Sequence, residues 1–212
     1  MSAIDIQTLE VGVLQVNCYL LTLRGWTATV LIDPGGDSER LRAELERTSR
    51  HPVMVLLTHS HYDHIGGVEG VLEAHPTAAL ACHAECGSRI PDPIKNLSAP
   101  VLGRGGRVRP PDRTIAHDEV VTAAGIDFHA RHLPGHSPGH LVYVVEAAQA
   151  LFAGDAIFAG GIGRTDLPGG NSQLLLDGLH ALLEDLPPET RIYPGHGPRT
   201  TVRNELQHNP FL

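Results

Sequence analysis

Residues 58 to 64 read THSHYDH: three histidines and an aspartate within seven positions, directly after the apolar run VMVLL. His59 and His61 are two residues apart, so an extended backbone points both to one side, whereas a helix would set them about 200° apart. The pair therefore belongs to a loop leaving a strand. Asp63 and His64 stand just before Gly66 and Gly67, where a sharp turn can bring them back toward the same pocket. Imidazole and carboxylate groups at this density are donors for divalent cations, and four exceed what one tetrahedral ion with an open water position needs. The same donor types recur downstream, each beside glycine at an expected strand end: His136 in LPGHSPGH, Asp155 in LFAGDAIF and His196 in YPGHGP. Glycine lets the backbone turn tightly and carry a side chain into a crowded centre. No cysteine lies in these motifs, which argues against a closed structural zinc site.

Strands must deliver these loops. IDIQTLEV (4–11), VLQVNCYLLT (13–22) and TATVLI (27–32), separated by turn residues, predict an antiparallel meander. A helix is expected over 38–47 (SERLRAELER), after Pro34, Gly35 and Gly36, with Asp37 or Ser38 as N-cap. A buried strand over 53–57 then leads into THSHYDH, and a helix over 66–75 follows. Beyond a short strand at 78–82, the proline- and glycine-rich stretch 91–112 reads as surface loop. Further strands are expected at 118–123, 126–133, 140–146, 149–153 and ending at Tyr193, with helices at 172–184 and 201–208. Two halves of this kind give two sheets flanked by helices. They carry no periodic repeat and no linker divides them, so 1–212 reads as a single domain.

Composition narrows the partners. A net charge of -8 without any local cluster of Lys or Arg leaves no electrostatic footprint for nucleic acid. No apolar run reaches the roughly 18 residues of a membrane span. The start MSAIDIQTLEVG lacks the basic residues and apolar core of a secretory signal, so a cytoplasmic location is expected. Cys18, Cys82 and Cys86 fit neither a disulfide framework nor a zinc knuckle and read as reduced, buried thiols. Lys95, the single lysine, leaves little scope for Schiff-base chemistry. Histidine, with 14 copies, is the compositional outlier. Those outside the motifs, His83 and His140 among them, read as structural; for His140, four residues beyond His136, support of a ligand from behind is the alternative.

The order HxHxDH, single His, single Asp, final His resembles the ligand series of the metallo-β-lactamase superfamily, over nearly the whole chain. GGIGRTDLPGG (160–170), YPGHGP (193–198) and the terminal NPFL (209–212) are similar to its small glyoxalase II-like, or hydroxyacylglutathione hydrolase-like, branch. The resemblance implies an α+β fold, an αββα four-layer sandwich of two mixed β-sheets flanked by helices, with the site at one edge between them. It implies that His59, His61 and His136 hold one metal, that Asp63, His64 and His196 hold a second, and that Asp155 bridges them. Seven side chains and a shared water suit two divalent ions, zinc being expected and iron or manganese compatible with the donors. Such a pair brings the pKa of the shared water toward about 7, and the hydroxide, oriented by Asp63, would attack a metal-polarised carbonyl.

A thioester suits this chemistry because a thiolate of pKa near 8.5 leaves without a general acid. The resemblance points to a small-molecule glutathione conjugate, S-2-hydroxyacylglutathione. The Arg164, Thr165, Asp166 segment either forms a turn closed by an Arg164 ion pair or borders the substrate cleft, and Arg199 and Arg203 read as solvated surface. Persulfide dioxygenases of the same superfamily share the GRTD element but use one iron on two His and one Asp; they are the principal alternative. A lactonase, a β-lactamase and a non-catalytic metal-binding module are the others.

Overall fold

The computed structural model describes residues 3–103 and 105–212. Met1, Ser2 and Arg104, which belong to the N-terminal segment and the 91–112 stretch read above, lie outside the described residues. Strands β1 (Ile4–Val11), β2 (Val16–Leu23) and β3 (Ala28–Ile32) form the expected antiparallel meander. Helix α1 (Ser38–Arg47) returns the chain as β4 (His51–Leu56), parallel to β3. Helices α2 (Tyr62–Ile65) and α3 (Val68–Ala74) lead to β5 (Ala79–Cys82), and α4 (Ala84–Arg89) and α5 (Ser98–Leu102) to the short strand β6 (Arg113–Thr114). These six strands make one mixed sheet in sequence order.

The second half supplies β7 (Val120–Ala123), β8 (Ile126–His132), β9 (Leu141–Val145) and β10 (Ala150–Gly154), then a small hairpin of β11 (Ile157–Phe158) and β12 (Gly161–Ile162). Helix α6 (Ser172–Asp185), β13 (Arg191–Pro194), β14 (Thr200–Thr201) and helix α7 (Val202–His208) complete it. Its sheet runs β14-β13-β10-β9-β8-β7, with β13 parallel to β10 and the other pairs antiparallel.

Apolar spacing explains the layers. Leu41 and Leu45 of α1 recur at i, i+4, and Leu175, Leu179, Leu182 and Leu183 of α6 make one buried helical face. The first pair packs with Val68 and Val71 on Leu20, Leu31 and Val55 of the first sheet, and α6 packs on Val142, Leu151 and Ile192 of the second. Between the sheets lie Tyr19, Leu21 and Ile32 from one side and Phe128, Tyr143 and Phe152 from the other. The result is the αββα sandwich. Two phenols in the middle layer cross it: Tyr19 donates to the Pro194 carbonyl at 2.6 Å, and Tyr143 to that of Leu57 at 2.8 Å.

The structure departs from the sequence expectation in four places. β2 starts at Val16 because residues 12–15 form a turn, with Gly12 and Gln15 at positive φ and Gln15 N donating to Gly12 O at 3.1 Å. The helix expected over 66–75 is interrupted at Gly66 and Gly67, where Gly67 N donates to Pro34 O at 2.8 Å instead of continuing one ladder. The stretch 91–112 contains α5, and α4 forms after His83, whose ring accepts a capping bond from Glu85 N at 3.3 Å.

The Pro34-Gly35-Gly36 turn packs under the THSHYDH segment so closely that a Cβ on Gly35 would lie 1.5 Å from the Asp63 carbonyl oxygen and 2.4 Å from Val16 Cγ1. Gly35→Ala is therefore expected to destabilise the chain by about 1–3 kcal/mol or more, the usual cost of overpacking. An unchanged urea midpoint would contradict this close approach.

Candidate metal centre

The chain leaves β4 in extended conformation as far as His61, the N-cap of α2 with φ -66° and ψ 143°, so His59 and His61 project from the loop as their spacing predicts. Asp63 and His64 sit on the single turn of α2. From the second sheet come His136, between β8 and β9, Asp155, just past β10, and His196, just past β13. All seven converge where the two sheets meet. His59, His61 and His136 each bring one ligand atom within 4.8 Å of the others, and so do Asp63, His64 and His196. Asp155 lies between the groups: its Oδ1 is 3.2 Å from His64 Nε2, and its Oδ2 is 3.7 Å from both His136 Nε2 and His196 Nε2.

Four of the imidazoles are held from behind by their other nitrogen. His64 Nδ1 donates to Asp33 Oδ2 at 2.9 Å, His136 Nδ1 to the Arg164 carbonyl at 2.8 Å and His196 Nδ1 to the Leu14 carbonyl at 3.0 Å. His59 Nδ1 reaches Thr58 Oγ1 at 3.0 Å, and that hydroxyl donates onward to Asp33 Oδ2 at 2.6 Å. A ring N–H committed in this way fixes the tautomer and leaves the second nitrogen as a lone pair aimed inward.

His136 Nε2 faces His61 Nδ1 at 2.9 Å and His196 Nε2 faces Asp63 Oδ2 at 3.2 Å, but other inward atoms lack partners. His59 Nε2, His64 Nε2 and Asp155 Oδ1 are buried without a hydrogen bond, a concentration that a folded chain does not sustain without a compensating group. Burial, reinforced by the neighbouring imidazoles, pushes His59 well below the ordinary histidine range and His61 down to about 3. Burial likewise lowers His136, although Asp155 opposes it. Neutral imidazole is the metal-binding form. At Asp155 burial favours the neutral acid, yet His64, His136 and His196 hold it below its usual range. His64 is the counterpart: burial opposes its charge, but Asp155, Asp63 and Asp33 raise its pKa well above normal. The carboxylates demand positive charge at this point. Neutral nitrogens, ionised carboxylates and unpartnered inward atoms together fit divalent cations.

Several supporting residues escaped the sequence reading. Asp33 accepts from Thr58 N at 2.8 Å as well as from the Thr58 hydroxyl and His64; in sequence it is only an aspartate before Pro-Gly-Gly, the signature of a turn. His140, read in the sequence as structural, accepts from Asp155 N at 3.2 Å and stacks on His59 with centroids 4.9 Å apart. Gly195 is required by space, since a Cβ there would sit 2.1 Å from Asp155 Oδ1 and 2.7 Å from His64 Cε1.

Arg164 pairs with Asp166 through bonds of 2.8 and 2.7 Å, and it also lines a cleft of about 360 Å³ together with His61, Asp63, His136 and Asp155. Thr165 is half-buried. Asn209 of the terminal NPFL donates to Gly161 O at 3.0 Å, and Glu205 accepts from Gly160 N at 2.9 Å, so the C-terminal helix fastens the hairpin that precedes GRTD. Arg199 is exposed and Arg203 pairs with Glu189, as surface arginines do. The three cysteines are buried and free.

An αββα sandwich with a buried His/Asp cluster at the junction of its sheets defines a class of metal-dependent hydrolases. The model described as the metallo-beta-lactamase superfamily matches residues 11–196, and the chain belongs to that superfamily. It is similar to the probable metallo-hydrolase YqgX of Bacillus subtilis, 35% identical over 204 residues that cover 96% of this chain and 95% of the relative. It is also similar to the hydroxyacylglutathione hydrolase GloC of Haemophilus influenzae, 32% identical over 212 residues and 98% of each chain. Among solved structures, that of BLEG-1 B3 metallo-beta-lactamase has a TM-score of 0.94 at 37% identity, covering 98% of this chain and 99% of that one.

Asp33 holds two histidines of the candidate centre, one directly and one through Thr58. Asp33→Asn, which places an amide where a carboxylate accepted, is expected to weaken metal retention about 10–100-fold, the usual effect of losing such a partner. Metal content after dialysis against a graded chelator measures it, and retention equal to the parent chain would refute the relay.

Proposed function

We propose that residues 1–212 form one catalytic unit, a dinuclear metal-dependent hydrolase that cleaves thioesters of the S-2-hydroxyacylglutathione type. In this reading His59, His61 and His136 would hold one cation and Asp63, His64 and His196 the other, with Asp155 available to both. The observation that carries it is the pairing of two donor triads around one carboxylate, opening on a cleft. Two divalent ions bound there, zinc, iron or manganese by the donor set, supply hydroxide at neutral pH and polarise a carbonyl.

The chain's own groups do the rest. The relay through Asp33 and Thr58 and the carbonyls of Leu14 and Arg164 keep the imidazoles in the binding tautomer. Asp63, held by His196 Nε2 at 3.2 Å and lining the cleft, has a carboxylate placed to orient the attacking group and accept its hydrogen bond. Leu14, Tyr62 and Leu167 give the cleft apolar surface against which an acyl chain packs and excludes water. Arg164 is the cation available to a carboxylate of a glutathione carrier.

The leaving group decides between substrates. A thiolate departs unprotonated, whereas an amide nitrogen requires a proton. Similarity to the hydroxyacylglutathione hydrolase favours the thioester, and a small diffusible cytoplasmic substrate is the setting it implies. Similarity to the BLEG-1 B3 metallo-beta-lactamase favours a second reading in which the same centre opens a β-lactam or lactone ring.

Removal of metal by a chelator is expected to abolish hydrolysis of S-lactoylglutathione, and zinc, iron or manganese to restore it. His61→Ala and Asp155→Ala should each lower kcat/KM by more than about a hundredfold while leaving circular dichroism unchanged. Near-normal activity in either variant would sink the site assignment. Rapid oxygen uptake on glutathione persulfide with one iron per chain would identify a dioxygenase instead, and turnover confined to β-lactams or lactones would establish the second reading.

A further inference from the structure

We propose that His83, His132 and Glu85 form an auxiliary site for a divalent transition cation such as zinc, outside the seven-residue centre and on the flank of the loop that carries His136. His83 precedes α4 and His132 ends β8, so two separate elements bring these side chains together. Their ligand atoms all lie within 4.8 Å of one another. Glu85 Oε2 is 3.9 Å from His83 Nδ1 and also 3.9 Å from His132 Nε2. That separation is too long for a hydrogen bond, but it is close to the spacing of two donors that share one cation through bonds of about 2.0–2.2 Å.

The groups are free to bind. His132 Nε2 is shielded from solvent and has no hydrogen-bond partner, so coordination costs it no existing bond. His83 Nδ1 has only the 3.3 Å capping contact from Glu85 N, and Glu85 is exposed. The rings stack nearly parallel, with centroids 4.1 Å apart and 11° between planes. One of them must pivot about its Cβ–Cγ bond to direct its lone pair at a shared ion. Burial lowers the pKa of both imidazoles, which favours the neutral, ligating form. Two imidazoles and a carboxylate are a donor set for zinc or iron and leave a position for water.

None of the three lines the cleft or belongs to the two triads. Their location gives the site a function within the fold. His132 begins the segment that runs to His136, and Gly139 near its far end packs on the start of α4: a Cβ there would lie 2.5 Å from Cys86 N and 3.0 Å from His83 Nδ1. An ion between His83, Glu85 and His132 would fasten the β8 end of that loop to α4, beside the packing contact that Gly139 makes at its far end.

The test is a zinc titration of the metal-stripped chain by calorimetry, run beside the double variant His83→Gln/His132→Gln and the single variant Glu85→Gln. The parent chain is expected to bind one more zinc than the double variant, which keeps the remaining equivalents and its thioester hydrolysis. Glu85→Gln, at an exposed position that leaves the packing intact, should selectively weaken that same equivalent. Equal stoichiometry in parent and double variant overturns the proposal, as does an unchanged titration of Glu85→Gln should the double variant fail to fold. Because the readout is stoichiometry, a chain that hydrolyses no thioester leaves this test standing.

Discussion

The candidate centre is divided between two sheets, so everything in it depends on how those sheets are held together at one edge. Two phenols do this across the middle layer. Tyr19, on the first sheet, donates to the carbonyl of Pro194, two residues before His196; Tyr143, on the second, donates to that of Leu57, two residues before His59. Backbone bonds repeat the arrangement, with Asn17 N donating to Gly195 O and Leu141 N to Thr58 O, each at 2.7 Å. A buried hydrogen bond contributes only about 1 kcal/mol net, but leaving such a carbonyl unpaired costs about 1–3. Burial raises the pKa of both phenols, so they remain protonated donors. Each half of the centre is therefore registered against the other by a group in the apolar core.

Holding the halves together creates an electrostatic problem that the same structure solves. Seven ionisable groups crowd a largely buried region at the foot of the cleft, where unpaired charge is expensive. The histidines that lose most water are driven neutral, while His64, facing Asp155, Asp63 and Asp33, is driven the other way. Asp33 is central to this balance, since one buried carboxylate anchors His64 and, through Thr58, His59. Donors for positive charge thus accumulate at one place with their tautomers already set.

How much of this could be read in the sequence follows from the range of each interaction. The seven donors were legible because their types are rare, their spacing is local and glycine marks where the backbone turns. The strand pattern was legible for the same reason, since alternation and apolar runs are properties of a short window. Asp33, Thr58, Asn17, Tyr19 and Tyr143 were not, because their partners lie across a sheet or on the other one, and nothing within a few residues distinguishes a relay aspartate from a turn aspartate. The break between α2 and α3 was missed because it is imposed by contact with Pro34 and Gly35, remote in sequence. Helix α5 was hidden by its own proline and by the proline- and glycine-rich stretch around it.

The division between fixed and variable parts also bears on substrate choice. The donors stand on loops and on the single turn of α2, tied down by backbone bonds, buried carboxylates or glycines that admit no side chain, so their arrangement is rigidly specified. The cleft walls are built differently. Val13 and Leu14 project from the exposed turn between β1 and β2, and Arg164 belongs to a surface segment whose preceding hairpin is fastened by Asn209 and Glu205. Residues at those positions can change size or charge without disturbing a ligand. Only the carbonyls of Leu14 and Arg164 are committed, as acceptors for His196 and His136, and a backbone carbonyl is present whatever the side chain. The same backbone thus holds the candidate centre in place while leaving the side chains of the cleft wall free to vary.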